Sequence, residues 1–320
     1  FATYGARQEL AAREREQRAR RQAELAERLG QEIKDMEWTL RSSRQLPLHD
    51  LGHEKALVRT RMQQLKQELE GYGALGRGLV HYALGRGHLA LHEYPQALAQ
   101  LQQALQAGQK SAEVHYALGL ALGKHYEQAM YQARLSGGGQ WAKKQLQRIE
   151  PQYLQPAIAA LQRSQALQRE SSGYLEALLS YYQRDYEAAL RQARATQQAT
   201  PWLYESTKLA GDIYLERALQ ARDHGRYEEA TREFADAVRS YQAAASIGQS
   251  DAQIYEGLAE AWIRQIEMAG SLGRPTDEAY EAAIAASDKI DRAEPGSTAG
   301  LLKKAYASSV RIGILRVGHT

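Results

Sequence analysis

Several residue types and patterns are missing from this 320-residue chain, and each absence removes a class of function. The chain contains no cysteine, so disulfides, thiol catalysis and cysteine-ligated zinc are excluded. It has no run of about 18 apolar residues, and we therefore expect no membrane span within these residues. The net charge is only +3 although 25% of the residues are charged, so the single-sign field of a dedicated nucleic-acid binder is absent.

Strand signals are also scarce, because polar and apolar residues rarely alternate among the Ala, Leu, Gln, Glu and Arg that dominate the chain. Only 7 prolines interrupt it, and these residue types are good helix formers. A hydrophobic content of 43% is enough for a sizeable core. The composition therefore predicts an all-α protein, built either as two ordinary domains or as one solenoid.

A spacing typical of a tetratricopeptide (TPR) helix pair lies between residues 81 and 109. Leu84-Gly85 precedes Ala97, and Leu101 and Ala104 follow four and then three residues further on. The small residue lets two helices approach, and the large apolar residues fill the seam between them. Leu118-Gly119 repeats the dipeptide after 118 − 84 = 34 residues, which is the TPR period. The repeat predicts a right-handed superhelical solenoid of TPR-type helix pairs.

Variants of the same pattern continue along the chain, so that the predicted solenoid covers residues 46–320 with about five helix pairs. The second pair carries an insertion near residues 130–152, which includes a short helix from Gln140 to Ile149. Insertions in solenoids often serve binding. A last helix from Thr298 to about Val317 is expected to cap the open end of the stack. Its apolar residues are Leu301, Leu302 and Ile312.

Residues 1–45 form a separate region in this prediction, a long charged helix that Pro47 ends. The first half is composed almost wholly of Ala, Arg, Glu and Gln, which favours a solvated helix held by i,i+4 charge pairs. A dimerising coiled coil, and with it a homodimer through this helix, stays an open alternative. Apolar residues recur at helical spacing only in the second half, at Leu25, Leu29, Ile33, Met36 and Leu40.

The junction after this helix contains His49, Asp50 and His53, which are residue types that can bind zinc. Asp50 is equally suited to cap a second helix, which we expect from Leu51 to about Glu70. Pro47 and the cap place His49 outside that helix, so a capped helix start is favoured over a metal site. The apolar residues of this second helix are Leu57, Met62, Leu65 and Leu69.

A glycine-rich stretch follows, in which Gly71, Gly73, Gly76 and Gly78 spell the GxGxxGxG of phosphate-binding loops. Such a loop needs a strand before it, so that backbone amides and a helix N-terminus point at the phosphate. A helix is predicted here instead. The stretch therefore favours a turn into a close-packed first TPR helix.

The first helix of each TPR pair lines a concave groove that suits an extended peptide or a partner helix. The sequence shows no obvious nucleophile, acid–base pair or metal cage there, so we expect a non-catalytic chain without cofactor or metal. Tyrosine, with 19 residues, suits a half-wet interface, although packing between repeats explains each one equally well. The chain has no asparagine, which argues against the Asn-based clamp of TPR domains that grip a C-terminal carboxylate. The predicted groove residues are Tyr82, Arg86, Tyr116, Lys124, Tyr182, Tyr214, Glu260 and Arg264.

Five segments of the chain carry a resemblance to a known family. They are LPLHD from Leu46, HYALGRGHLAL from His81, VHYALGLALGKHY from Val114, YLEALLSYYQRDYEAAL from Tyr174 and PWLYE from Pro201. These segments resemble the C-terminal, non-catalytic region of large bacterial eukaryotic-like serine/threonine kinases, and the similarity is clearest between Leu46 and Glu205. In that family a kinase domain is followed by a membrane helix and then by a TPR region regarded as a sensory or interaction module.

This resemblance implies a periplasmic protein- or peptide-binding module, with residues 1–45 as a juxtamembrane linker and any membrane segment upstream of Phe1. None of the kinase catalytic motifs occurs in the chain. The start at Phe1 without an initiator Met fits a piece of a longer protein. The alternative is a soluble, cytoplasmic TPR adaptor in a secretion or assembly complex. A small metal-dependent hydrolase built on His49, Asp50 and His53 is the third and weakest interpretation.

Overall fold

The computed structural model describes residues 2–68, 74–136, 139–165 and 172–317. Over these residues the chain forms helices and no strand, which confirms the all-α prediction. A π-helical turn, Glu150–Leu154, joins α6 to α7. The α-helices are α1 (Ala2–Gln45), α2 (Gly52–Glu68), α3 (Ala74–Ala90), α4 (Tyr94–Gln106), α5 (Ala112–Ser136), α6 (Gly139–Ile149), α7 (Gln155–Arg163), α8 (Ser172–Tyr182), α9 (Tyr186–Ala199), α10 (Tyr204–Asp223), α11 (Tyr227–Ala245), α12 (Ala252–Ser271), α13 (Asp277–Ala293) and α14 (Ala299–Val317).

The chain divides into two compact units, each made of two chain segments. Unit 1 comprises residues 1–40 and 55–167, and unit 2 comprises residues 41–54 and 168–320. The units differ from the regions 1–45 and 46–320 predicted from composition. They differ because the second half of α1, up to Leu40, belongs to an apolar core of unit 1, whereas its last turn belongs to unit 2.

That core joins α1, α2 and α3 in unit 1. On α2 it buries Val58, Met62 and Leu65, whereas Leu57 is 52% exposed. Val58 and not Leu57 is in phase with Met62 and Leu65 on a helix, so Leu57 faces away from the core. Leu69 lies outside the described residues. On α1 the core buries Leu29, Ile33, Met36 and Leu40, as the helical spacing predicted.

Two TPR-type pairs follow in unit 1, α3 with α4 and α5 with α7. A Cβ atom on Gly85 of α3 would lie 2.6 Å from Cγ of Leu101 on α4, and one on Gly119 of α5 would lie 2.6 Å from Cγ of Leu161 on α7. The two seams are therefore equivalent, as the repeated Leu-Gly predicted. Between the partners of the second pair lie the end of the long α5, the short α6 and the π-helical turn, so the predicted insertion is confirmed.

The turns inside the pairs use a left-handed backbone residue shortly before the second helix. The φ angles are 62° at His92, 64° at Arg184, 73° at Gly225 and 66° at Gly273. Each of these residues lies between the first and the second helix of its pair. Only glycine adopts this conformation without a steric cost, so His92 and Arg184 are held there by their helices.

Unit 2 continues the pattern with the pairs α8–α9, α10–α11 and α12–α13, followed by α14. Tyr241 of α11 is fully buried in its core, and its ring fills the space that side chains would occupy at Gly211 of α10 and Gly257 of α12. Cβ atoms there would lie 2.8 Å and 2.5 Å from ring carbons of Tyr241. The glycines on two consecutive first helices thus leave room for one large side chain of the second helix that lies between these two helices.

A strap, defined as residues 41–51, consists of the last turn of α1 and the non-helical segment after it, and it crosses unit 2 along the loops between consecutive pairs. Its centre is held by the fully buried Ser250, whose N–H donates to the Arg44 carbonyl (2.8 Å) and whose Oγ accepts from the His49 N–H (3.0 Å). At one end Arg41 pairs with Glu205. At the other end the N–H of Leu51, itself fully buried, donates to the Ala293 carbonyl (3.1 Å).

The seam at Gly85 gives a first prediction. Gly85→Ala places a methyl group against Leu101, and such overpacking costs about 1–3 kcal/mol, which the better helix propensity of alanine only partly offsets. Urea unfolding should show a less stable variant. The matched change Gly30→Ala in α1 meets no atom within 4 Å and should instead stabilise by up to about 1 kcal/mol. Equal effects of the two variants would contradict the close approach at Gly85.

The strap gives a second prediction. Ser250→Ala removes the hydroxyl that accepts a hydrogen bond from the His49 N–H and lies 3.2 Å from the Leu46 and Pro47 carbonyl oxygens. Leaving these partly buried groups unpaired should lower the free energy of unfolding by about 1–3 kcal/mol and speed amide hydrogen exchange in residues 44–51. Ser246→Ala, at an exposed helix end, is the control and should change neither quantity. Unchanged exchange in the strap would contradict its anchoring by Ser250.

Candidate functional site

The first helices of successive pairs lie next to one another within each unit. In unit 1 α3 contacts α5, and in unit 2 α8, α10, α12 and α14 follow one another. In a TPR stack these helices line the inner, concave side. All of the predicted groove residues lie on these first helices.

In unit 1 three of the predicted residues come together. The Arg86 Nη1 atom donates to the Tyr82 hydroxyl (2.8 Å), and the guanidinium lies 5.8 Å from the centre of the Tyr82 ring. Arg86 also forms an ion pair with Glu37 of α1. Burial works to lower the pKa of Arg86, but the charge of Glu37 and the nearby hydroxyls of Tyr82 and Tyr116 outweigh it and raise the pKa. Arg86 is thus a fixed cation between two half-buried tyrosines.

Lys124, the fourth predicted residue of unit 1, lies further along α5 and is only 16% exposed. Its ammonium forms an ion pair with Glu127 one turn later (2.8 Å). The pair keeps the Lys124 charge compensated on its own helix.

In unit 2, Glu260 and Arg264 of α12 are brought together by a buried ionic contact. Arg264 Nε donates to Glu260 Oε1 (2.7 Å), and Nζ of Lys303 on α14 donates to Oε2 (2.7 Å). Burial alone would raise the pKa of Glu260, but the charges of Lys303 and Arg264 outweigh it and lower the pKa to about 2. Glu260 is therefore ionised throughout the physiological range.

The same contact extends one turn further, to Glu267. Arg264 Nη1 donates to both Glu267 oxygens (2.9 Å each), the Tyr306 hydroxyl donates to Oε1 (2.7 Å), and Arg222 of α10 lies 3.2 Å from Oε2. Burial and the Glu267 carboxylate raise the pKa of Tyr306 to about 12. Three consecutive first helices are thereby joined by ion pairs and hydrogen bonds.

One turn before Glu260, Glu256 lies on the same face of α12. Among the described residues, no hydrogen-bond donor or ion-pair partner reaches its half-buried carboxylate. Burial raises its pKa, against the opposing charges of Lys303 and Lys208. Lys208 itself pairs with Asp212 (2.9 Å), and Asp212 also accepts from the Tyr241 hydroxyl (2.8 Å).

We call this set of side chains the polar row of unit 2. It lies where first helices adjoin, and it includes residues that sequence reasoning missed. The spacing of four between Glu256 and Glu260 on α12, and between Lys208 and Asp212 on α10, could have indicated shared helix faces. Lys303 and Tyr306 gave no such signal, because their place depends on how α14 is offset along α12. The polar row consists of Lys208, Asp212, Arg222, Glu256, Glu260, Arg264, Glu267, Lys303 and Tyr306.

Two predicted groove residues lie apart from the polar row. Tyr182 is only 4% exposed and packs against Tyr181, with ring centroids 5.5 Å apart. Tyr214 is half-buried, and its hydroxyl accepts from Arg194 of α9. Both tyrosines therefore pack between helices of unit 2, as the packing interpretation allowed.

The remaining sequence motifs have structural roles where they are described. Asp50 Oδ1 accepts from the Gly52 N–H (2.8 Å), which confirms the capped helix start. His49 Nδ1 lies 2.8 Å from the Pro47 carbonyl oxygen, and His53 is exposed. A Cβ atom on Gly78 would lie 2.7 Å from Gln109, so this glycine serves close helix packing, whereas Gly71 and Gly73 lie outside the described residues. Over residues 2–68, 74–136, 139–165 and 172–317, no three metal-binding side chains of the His, Cys, Asp or Glu type converge.

Comparisons with known proteins give no match to a family model and none to a curated protein. Among solved structures, YrrB, described as a TPR protein with an unusual peptide-binding site, is similar at 14% identity and a TM-score of 0.31, covering 75% of this chain and 97% of its own. MamA (AMB-1) is similar at 15% identity and a TM-score of 0.30, over 71% and 96% of the two chains. Yeast Tom70 is similar at 11% identity and a TM-score of 0.34, over 87% and 64%. None of the described helices is both long and apolar enough to cross a bilayer.

The depressed pKa of Glu260 gives a third prediction. A carboxylate whose pKa falls from about 4.5 to about 2 on folding stabilises the fold above pH 4.5, and this contribution is lost as the pH falls toward 2. Glu260→Gln should therefore lower the free energy of unfolding by about 3 kcal/mol at pH 7. The difference from the wild type should shrink below pH 4.5 in urea unfolding series. Glu229→Gln, which breaks the exposed pair with Arg226, should cost less than about 1 kcal/mol at any pH.

Proposed function

We propose that this chain is a non-catalytic module that binds a peptide or protein segment along the faces of its first helices. The observation that carries the proposal is the polar row of unit 2. It joins three consecutive first helices with charged groups, although an apolar seam would pack these helices at lower cost. Such a row is suited to recognise polar groups of a ligand that runs across the helices.

Two groups in the polar row retain unused hydrogen-bonding capacity. The Glu256 carboxylate is half-buried, and the buried Nη2 of Arg264 finds no hydrogen-bond partner among the described residues. Buried polar groups without partners cost stability, and binding sites are where such costs are repaid by a ligand. A peptide supplies a partner for Glu256, since each of its non-proline residues offers an N–H donor.

Unit 1 offers a second set of contacts around Arg86. Tyr82 and Tyr116 combine a flat apolar ring with a hydroxyl, which suits a half-wet interface. Arg86 supplies donors in a fixed geometry because Glu37 and Tyr82 hold its guanidinium. These residues support the same class of ligand as the polar row, namely a peptide with acidic or carbonyl acceptors.

We further propose the setting that the sequence resemblance implies, the sensory or interaction part of a membrane-anchored bacterial serine/threonine kinase, with this chain in the periplasm. The support for it is the similarity of the five segments from Leu46 to Glu205. Two of them lie in unit 2. In PWLYE, the centre of the Trp202 ring lies 5.2 Å from Arg41 of the strap and Glu205 pairs with Arg41, and in LPLHD the Leu46 and Pro47 carbonyls lie 3.2 Å from the Ser250 hydroxyl. The resemblance thus includes residues that hold this fold together.

An array of immobilised 12-residue peptides of random sequence, probed with the labelled full chain, tests the binding proposal. We expect a subset of peptides to be captured. Glu256→Gln, Arg86→Gln and Tyr116→Ala should each weaken that capture by about tenfold, with far-UV circular dichroism unchanged. Matched controls on the second helix α11, Arg232→Gln and Tyr227→Ala, should bind as the wild type does. Capture by all three variants at wild-type strength would contradict the proposal.

The proposed setting has its own test, which is independent of peptide binding. Sequencing the open reading frame upstream of Phe1 should reveal an apolar segment long enough to span a membrane and, before it, the kinase motifs. Alkaline phosphatase fused after residue 317 in the native frame should be active, since that enzyme requires an oxidising compartment. A start codon directly upstream of Phe1 and an inactive fusion would favour the cytoplasmic adaptor instead.

A further inference from the structure

The α14 helix of unit 2 exposes an apolar face. In the other first helices of the unit the corresponding face is buried. The helices α8, α10 and α12 each pack against a second helix, whereas α14 contacts α12 and α13 and no described helix covers its other side. Its inward residues are Lys303 and Ala307, with Ile314 against Gly270. The helix expected from Thr298 to about Val317 is present, but Leu301, Leu302 and Ile312, which the sequence analysis named as its apolar residues, face outward. The outward residues are Leu301 (65% exposed), Leu302 (58%), Ile312 (50%) and Leu315 (52%).

We propose that this face of α14 binds the α14 helix of a second copy of this chain, antiparallel and about a two-fold axis. Four large aliphatic side chains exposed on one helix form an apolar patch of the kind that marks a protein–protein contact. An isologous contact needs a surface that is complementary to itself, and the order of residues along α14 has that property.

The face has large residues at both ends and small residues between them. Leu301 and Leu315 are 14 positions apart, which is about 21 Å along a helix, and the exposed Ala305 and Ser309 lie between them. In an antiparallel pair centred near Ser308, Leu301 of each copy meets Leu315 of the other, and Ala305 meets Ile312. Small residues at the crossing allow the two backbones to approach closely while the large residues fill the ends.

Three of the four cations on α14, namely Lys303, Lys304 and Arg311, are already paired with acidic residues of α12 and α13. The α14 helix carries basic residues and no acidic ones, so two copies would repel each other if those charges were uncompensated. However, α13 supplies partners for the flanking cations. Lys304 Nζ lies 2.5 Å from Asp288 and 2.7 Å from Asp291, and Arg311 Nη2 lies 2.6 Å from Asp277. A second copy is therefore favoured as the occupant over a strongly acidic partner helix, which would have to compete with these aspartates.

Sedimentation equilibrium of the full chain over a wide concentration range tests the proposal. We expect a reversible dimer, whose dissociation constant rises at least about tenfold in Leu301→Glu and in Ile312→Glu. Leu57→Glu is the matched control, because Leu57 is 52% exposed on α2, and it should leave the dimer intact. Trp38→Glu, at a residue 70% exposed on α1, distinguishes a dimer formed through the N-terminal helix.

Cross-linking gives a second readout that does not depend on the stability of the glutamate variants. Because the chain has no cysteine, Ser309→Cys introduces a single thiol near the proposed two-fold axis. Mild oxidation should yield disulfide-linked dimers of Ser309→Cys at concentrations where Leu57→Cys stays monomeric. A monomer at every concentration would overturn the proposal. So would a dimer that survives Leu301→Glu and Ile312→Glu, including one that is lost only in Trp38→Glu.

Discussion

The fold depends on one steric constraint, which is that the two helices of a pair meet where the first helix has almost no side chain. Leu101 occupies the space over Gly85, Leu161 the space over Gly119, and the Tyr241 ring the space beside Gly211. Close approach of the backbones buries a large side chain without a cavity, and dispersion and the hydrophobic effect then favour the paired state. Because each pair presents another such face to the next, the same contact propagates as a stack.

This constraint explains which features could be predicted from sequence. The seam residues recur at fixed spacing, so the pairs, their turns and the insertion between α5 and α7 follow from local pattern alone. Which side of a helix is buried is harder to predict from the sequence when the helix does not belong to a full repeat. Leu57, Leu301, Leu302 and Ile312 were named among the apolar residues of their helices, yet all four are at least half exposed. Apolar residues on α14 occur on several sides, and only its offset along α12 decides which side is buried.

The candidate site, too, could be predicted only in part from the sequence. Counting positions along single helices predicted Tyr82, Arg86 and Tyr116 as groove residues. They lie together in the structure, because neighbouring repeats place equivalent positions on the same side. Lys303 could not be foreseen, because its contact with Glu260 spans 43 residues and depends on the relative position of α12 and α14. Buried ion pairs add little net stability, as desolvation nearly cancels their attraction. Their occurrence between first helices is therefore not explained by stability alone, which is why the proposed binding function rests on them.

Unit 2 also departs from a simple repeat array, in which each repeat is stabilised by its neighbours alone. The strap comes from residues 41–51, yet it gives Ser250 its hydrogen-bond partners and Glu205 its ion pair, and Leu48 packs against the core of the unit. A fragment that begins at α8 would keep every helix pair of the unit and still lose these contacts. It would expose Ser250, which is fully buried in the intact chain, and leave the carboxylate of Glu205 in an apolar surrounding that already raises its pKa. The repeats of unit 2 are thus complete only together with a segment that precedes them by more than a hundred residues in the sequence.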